Sequence, residues 1–396
     1  MDTQPTGPLR DLRILDVTHA AAGPYAAMLL ADFGAEVIKI EPPDGEFVRH
    51  ARPRLDHGEG EGEGDGPYGG RFAARNRNKL SVALDLNDDR DRNTFLDLAA
   101  TADGLVENMR AGVLDRLGVG WDVLRQRNPR LVYAAIRGFG DPRTGRSPYA
   151  DWPAFDVIAQ AMGGLVAMTG PDREHPMRAG PIIGDLVPAM LAALGLVSAI
   201  HHARESGEGQ FLDVAMVDAV MALCTQAQTM WDYEGRRYEP SGSATADVVP
   251  FDIYRTVDGH CAIAAPRDDH WQTLCALMGR ADLLDDDGLA TGADRLARRD
   301  LVDQVVSDWA GGHTTAELLT LLGGRVPVGP VMGPPEWADD PHVRARQMLV
   351  SVDHPHHRPT VEVACPVKFT ATPANVYRPP PSLDEHRAAI LRELTT

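Results

Sequence analysis

Arg178-Ala179-Gly180-Pro181-Ile182-Ile183-Gly184-Asp185-Leu186 carries one carboxylate at a place where chemistry is possible. Pro181 to Ile183 reads as a short apolar strand that ends at Gly184. Val187 to Ile200 is apolar on every side, which predicts a buried helix. Asp185 then falls between a strand tip and a helix N-terminus, and two readings are open. Asp is a favoured N-cap. A carboxylate held at a strand–helix turn can also be a nucleophile toward an activated acyl group, giving a mixed anhydride. The helix N-terminus would favour its anionic form.

Basic residues form a second constellation. Lys39, Arg75, Arg77, Lys79, Arg116 and Arg137 fall at or near strand ends, where α/β sheets bind ligands. Arg and Lys there can clamp phosphates; each taken singly suits a solvated surface better. His19, in the loop after the first strand, is either a ligand contact or a satisfied core histidine. His354-Pro355-His356-His357 reads as a Pro-rich surface turn, because no Asp, Glu or Cys spacing supports a metal site. No metal is expected.

The elements that must position these groups follow from the apolar pattern. Leu12 to Val17 and Glu36 to Glu41 are strands flanking a helix over Tyr25 to Phe33, closed by Gly34. Such a unit implies a parallel, Rossmann-like sheet with a right-handed crossover. GxGxxG is absent after the first strand, so a dinucleotide is not inferred. Further strands are expected at Leu80 to Leu84, Gly104 to Glu107, Leu131 to Ile136 and Gln210 to Val214. Helices are expected near 90–100, 121–126, 155–168 and 216–233.

Gly58 to Gly66 is an acidic Gly/Glu run that reads as a solvated loop. The composition turns polar at Gly235 to Asp247, a linker or active-site loop. A smaller α+β unit follows, opening on a hairpin about Asp258-Gly259.

The chain has 396 residues, enough for two domains, and a net charge of −18. That charge argues against general nucleic-acid binding and against an anionic membrane surface. The four cysteines, Cys224, Cys261, Cys275 and Cys365, are dispersed and read as reduced core thiols. Met1 to Leu12 lacks the regions of a signal peptide, and the run Leu186 to Ile200 is too short to span a bilayer. A cytoplasmic protein is expected.

Taken in order, several segments resemble family III CoA-transferases, the CaiB/BaiF group. They are Leu15-Asp16 through Gly23-Pro24, Leu30 to Glu41, Asn76-Arg77-Asn78-Lys79 with Leu84-Asp85-Leu86, and Glu107-Asn108 to Leu117-Gly118. Phe155-Asp156 to Gly163-Gly164, Gly184-Asp185, Gly207 to Gln210 and Val326 to Pro330 continue the match, which runs from about Leu12 to Leu391.

The resemblance implies a Rossmann-like large domain whose N-terminal part spans 1–225, then a linker and small α+β domain over 226–330. A segment over 331–396 would return to the large domain, and two chains would interlock as a homodimer. It implies a CoA-transferase with Asp185 as the catalytic aspartate. Asp185 would attack an acyl-CoA thioester, CoA thiolate would convert the anhydride to an aspartyl-CoA thioester, and an acceptor carboxylate would attack that. Coenzyme A is then a co-substrate, with no tightly bound cofactor. CoA contacts implied by the resemblance are His19, Lys39, Arg77, Lys79, Asn108, Met109, Arg116 and Arg137. Three features depart from the family. Ala21 stands where some transferases carry Gln, the loop Ser241 to Val249 has only Gly242, and Met109 and Ala111 replace the commoner Phe and Pro. α-Methylacyl-CoA racemases share the superfamily and pair this Asp with a His, but Phe155 occupies that place, and Phe cannot transfer protons. A CoA-binding protein without catalysis is the third reading.

Overall fold

The computed structural model describes residues 5–55, 68–354 and 357–394. The Gly58–Gly66 run, and Pro355 and His356 of the histidine tract, lie outside them. The fold divides into two compact units. One comprises 1–165, 179–225 and 341–396; the other comprises 166–178 and 226–340.

The first unit is built on six strands: β1 (Arg13–Val17), β2 (Glu36–Glu41), β3 (Lys79–Ala83), β4 (Gly104–Glu107), β5 (Val132–Arg137) and β6 (Phe211–Ala215). All pair in parallel, in the order β3-β2-β1-β4-β5-β6. This is a doubly wound order, with its switch point between β1 and β4. The strands read as continuous apolar runs because both faces are covered. Ile14, Val37, Val106 and Ala134 point into one cluster, together with α1 (Ala22–Asp32). Leu15, Ile38, Leu105 and Tyr133 point into the other, against α3 (Asp89–Thr101). Between them in sequence lies α2 (Gly70–Asn76), and after α3 come α4 (Trp121–Arg127), α5 (Asp156–Met162), α6 (Ile183–Ser206) and α7 (Met216–Met221).

Three expectations are corrected here. Pro181 to Ile183 forms no strand; Ile183 is already the first residue of α6. The expected helix over 216–233 is broken at Ala222–Cys224, with a separate helix at Thr225–Glu234. And α6 is not buried on every side. Ala189, Ala192, Ala193 and Leu196 face the first apolar cluster, while Met190, Leu191 and Leu194 are exposed. At 24 residues it outruns the apolar stretch read from the sequence. It is long and apolar enough to cross a membrane by length and composition alone, as core helices also are.

The tail returns to the β3 edge through Asn78. This residue adopts the left-handed region at φ 64°, which Asn tolerates better than most. Its Oδ1 accepts from the backbone N–H of Tyr377 at 2.8 Å and of Arg378 at 3.0 Å. Its Nδ2 donates to Asp32 and to the Asn375 carbonyl, both at 2.9 Å. Asp384 then accepts from the Ala83 N–H, and α11 (Arg387–Glu393), numbered after the second unit's helices below, packs Ile390 into the second cluster. Replacing Asn78 by Ala strands two buried donors and strains the backbone. A loss of about 3 kcal/mol is expected in urea unfolding, with faster proteolysis of the tail. Asn78→Gly should recover the backbone part only.

The second unit holds an antiparallel sheet of β7 (Phe251–Arg255), β8 (His260–Ala264) and β9 (Val328–Pro330). The expected hairpin at Asp258-Gly259 joins the first two. Against the sheet pack α8 (Asp268–Met278), α9 (Arg299–Ala310) and α10 (Thr315–Leu322), around Trp271, Leu274, Val306 and Leu318.

Candidate active site

The loops after β1 and β4 meet at the switch point. The His19 N–H donates to Asn108 Oδ1 at 2.9 Å, and Asn108 Nδ2 returns a bond to the His19 carbonyl at 2.8 Å. Gly23 permits the tight first loop: a Cβ there would stand 2.4 Å from the Thr18 side chain. Ala20, beside the noted Ala21, is held at φ 67°, with its N–H on Glu46 Oε2 at 2.8 Å. The His19 ring is half-buried, stands edge-on to Phe47, and has its pKa lowered chiefly by burial.

The lysines expected as CoA contacts lie beneath this loop. Lys39 and Lys79 are both fully buried. Sheet register sets Lys39 beside Asp16. Lys39 Nζ donates to the Thr18 carbonyl at 2.9 Å and pairs with Glu46 at 3.0 Å. Lys79 Nζ spends its donors on Asp16, the Pro24 carbonyl and Asn76, at 2.7, 2.9 and 2.8 Å. Burial opposes ionisation of Asp16, yet the two ammoniums outweigh it and lower its pKa. Lys79 is pulled down to about 8, mainly by burial. Arg77 is likewise committed, to Asp32 through Nε at 3.0 Å and Nη2 at 2.7 Å. The Asn76-Arg77-Asn78-Lys79 motif thus ties α1, β1 and the tail together.

At the end of β4, Glu107 Oε2 accepts the Met109 N–H at 2.6 Å, which fixes the Asn108-Met109 turn. Burial pushes the Glu107 carboxyl up to about 7, against the opposing pull of Arg137. Arg137, at the end of β5, pairs with Glu107 and with Asp141 at 2.6 Å. Its shielded Nε has no hydrogen-bond partner among the described residues. Arg116 is exposed and forms no ion pair among the described residues. Gly112, at φ 77°, turns the chain into the short helix that carries it.

Asp185 is the third residue of α6, not its cap. The N-cap is Ile182, whose side chain bonds nothing there. The capping work falls to Asp156 of α5, whose Oδ1 accepts the Gly184 N–H at 2.8 Å. Gln160 steadies it, donating to Asp156 at 2.8 Å and accepting the Ala179 N–H at 2.8 Å. Gly184 lets α5 come this close; a Cβ would lie 2.4 Å from the Asp156 carbonyl oxygen. Asp185 accepts no side-chain or loop hydrogen bond among the described residues, so its carboxylate stays available. Burial and the nearby Asp156 push its carboxyl up to about 6, against the pull of Arg75. Because α6 follows β5 and precedes β6, its N-terminus opens at the carboxyl edge of the sheet, the edge that bears His19 and Asn108.

Asp156, Gln160, Glu46 and Glu107 escaped assignment from the sequence. A buried carboxylate two places before an apolar position gives no signal of its partner. The quoted Phe155-Asp156 motif was the one pointer to Asp156. Among the described residues no cluster of three or more His, Cys, Asp or Glu could hold a metal.

Comparison with known proteins finds one family, described as CoA-transferase family III, matching residues 9–387. A succinyl-CoA:mesaconate CoA-transferase of Haloarcula hispanica is 42% identical over 388 residues, covering 98% of this chain and 96% of that protein. A succinate–glutarate CoA-transferase of Agrobacterium fabrum is 33% identical over 392 residues, covering 98% and 96%. Among solved structures, a CAIB/BAIF family protein from Brucella suis superposes with a TM-score of 0.87 at 29% identity, covering 98% of this chain and 99% of that one.

Proposed function

The chain belongs to CoA-transferase family III and is a CoA-transferase acting between an acyl-CoA and a carboxylic acid; from that premise we propose that it moves CoA between small dicarboxylic acids through covalent intermediates on Asp185. The single observation that carries this reading is the free, half-buried Asp185 carboxylate on the first turn of α6, with its capping duty taken by Asp156.

Asp185 Oδ attacks the donor thioester carbonyl, forming a mixed anhydride and releasing CoA thiolate. The thiolate attacks the aspartyl carbonyl of the anhydride; the donor acid leaves and an aspartyl-CoA thioester remains. The acceptor carboxylate attacks that thioester, giving a second anhydride and thiolate. Thiolate attack on the acceptor carbonyl then yields the new acyl-CoA and restores Asp185. No net proton is consumed, and water must be kept from both anhydrides. A raised pKa makes Asp185 a more basic nucleophile than an ordinary carboxylate, while at neutral pH it stays ionised.

CoA would lie along the carboxyl edge, meeting His19, Asn108, Met109, Arg116 and Arg137. Lys39 and Lys79 would hold the first loop from beneath, and Arg77 would hold the end of α1. A relative's name supports succinyl-CoA as the donor and mesaconate as the acceptor to try first. A homodimer is proposed from the exposed apolar residues of the first unit, among them Phe155, Leu194 and Met221, which a second copy would cover. Phe155, 69% exposed, offers no proton acceptor opposite Asp185, so the racemase reading gains no support.

The test is CoA transfer from succinyl-CoA to mesaconate across pH. One ionisation at Asp185 predicts that kcat/KM falls tenfold per unit below about pH 6 and is level above it. Absence of transfer from any acyl-CoA would refute the reading.

A further inference from the structure

Arg75 lies in the last turn of α2 and is half-buried. Its one hydrogen bond among the described residues runs from Nη1 to the Arg71 carbonyl of its own helix, at 3.1 Å. No carboxylate comes within ion-pair distance of it among the described residues. Other shielded cations of this unit behave otherwise: Lys39, Arg49, Arg77, Lys79 and Arg137 each hold a carboxylate. Arg75 is therefore a guanidinium withdrawn from water and left without a counter-ion, a costly arrangement unless something else supplies one. Its charged neighbours are Asp185, Glu46 and Arg71. Helix α1 packs against both α2 and α6, which carry Arg75 and Asp185, and each of the two feels the other's charge without an ion pair between them.

A guanidinium fork matches a carboxylate in plane and spacing. The counter-ion it lacks is thus a carboxylate delivered by the ligand. An acyl group whose thioester carbonyl meets Asp185 and whose far end is a second carboxylate would complete it. A plain aliphatic acyl group would leave Arg75 half-buried and unpaired, which disfavours it without any steric clash. We propose that Arg75 is the specificity-determining residue that binds the distal carboxylate of a dicarboxylic acyl group reacting at Asp185. This inference rests on the transferase reading above and assigns a residue to its substrate choice.

The experiment is exchange of isotopically labelled free CoA into succinyl-CoA and into butyryl-CoA, a reaction that needs no acceptor. The two donors match in chain length and differ in the terminal carboxylate. Wild-type protein should prefer succinyl-CoA. In Arg75→Gln that preference should drop roughly 50-fold, expressed mainly in KM for succinyl-CoA. Arg75→Lys, which keeps the charge but loses the fork, should restore part of it. Exchange of butyryl-CoA by the same variants reports that they are folded and that Asp185 still reacts. An equal fall with both donors would overturn the inference, since Arg75 would then serve CoA or Asp185 itself. So would a wild-type protein that exchanges both donors equally well, with CoA transfer left standing. A wild-type protein that exchanges neither donor would refute the transferase reading, and this inference with it.

Discussion

Asp185→Asn is expected to lose CoA transfer by at least about 10⁴-fold and yet to melt at a higher temperature than the wild type. Both effects come from one environment. The amide is isosteric but cannot form the anhydride, so every later step disappears. Burial and Asp156 meanwhile push the Asp185 carboxyl up to about 6. A group whose folded pKa is raised contributes stability that is present below its unfolded pKa and lost as pH rises through the folded value. For Asp185 that window runs from about 4 to about 6. At pH 7 its charge is therefore a burden, which the neutral amide relieves. The full shift corresponds to about 3 kcal/mol, and partial exposure reduces it to about 1–2 kcal/mol. Thermal melts at pH 7.5 and pH 4 check the sign: the advantage of Asn should be clear at the first and shrink at the second. A variant that is inactive and also less stable at neutral pH would mean that Asp185 is a structural residue.

Gly184→Ala carries the second large effect. In an ordinary helix interior this change gains up to about 1 kcal/mol. Here the added Cβ would lie 2.4 Å from the Asp156 carbonyl oxygen and 3.0 Å from the Ala159 Cβ, and backbone cannot swing aside as a side chain can. Helix α5 or the start of α6 must move. A net loss of about 1–3 kcal/mol is expected in chemical unfolding. The same movement disturbs the Asp156 cap and shifts the neighbouring Asp185. A displacement near 1 Å costs on the order of 100-fold in rate, and the loss should fall on kcat more than on KM, because the edge proposed to hold CoA is untouched. Wild-type kcat in a folded Gly184→Ala protein would show that the α5–α6 approach does not position the nucleophile.

The sheet was legible because its strands are short apolar runs bounded by turn residues. Glu36–Glu41 and Gly104–Glu107 fall where the pattern puts them. Asp185 was legible as a candidate through its neighbours. Its surroundings were not. Three apolar residues before a helix look the same whether they extend as a strand or lead into a first turn, so Pro181 to Ile183 was assigned too much structure. The partners of the basic residues were not legible either. Lys39, Arg77 and Lys79 are consumed by Asp16, Asp32 and Glu46, which lie 7 to 63 positions away in sequence. Nothing local distinguishes such a lysine from one that faces a phosphate. Arg75, two positions before Arg77, has the opposite fate, and only the packed structure separates the pair. The exposed stripe of α6 was hidden for a similar reason, since a helix apolar all round reads as buried whether its cover comes from its own chain or another.

The central claim is that Asp185 carries the acyl group and then CoA. Its most direct test is mass spectrometry of protein incubated with succinyl-CoA, quenched with hydroxylamine or acid, and digested. The account predicts a hydroxamate on the Asp185 peptide after the hydroxylamine quench, a CoA-sized adduct on the same peptide after acid, and neither in Asp185→Ala. Transfer of CoA to mesaconate with the Asp185 peptide unmodified throughout, or with the adduct on another residue, would contradict it.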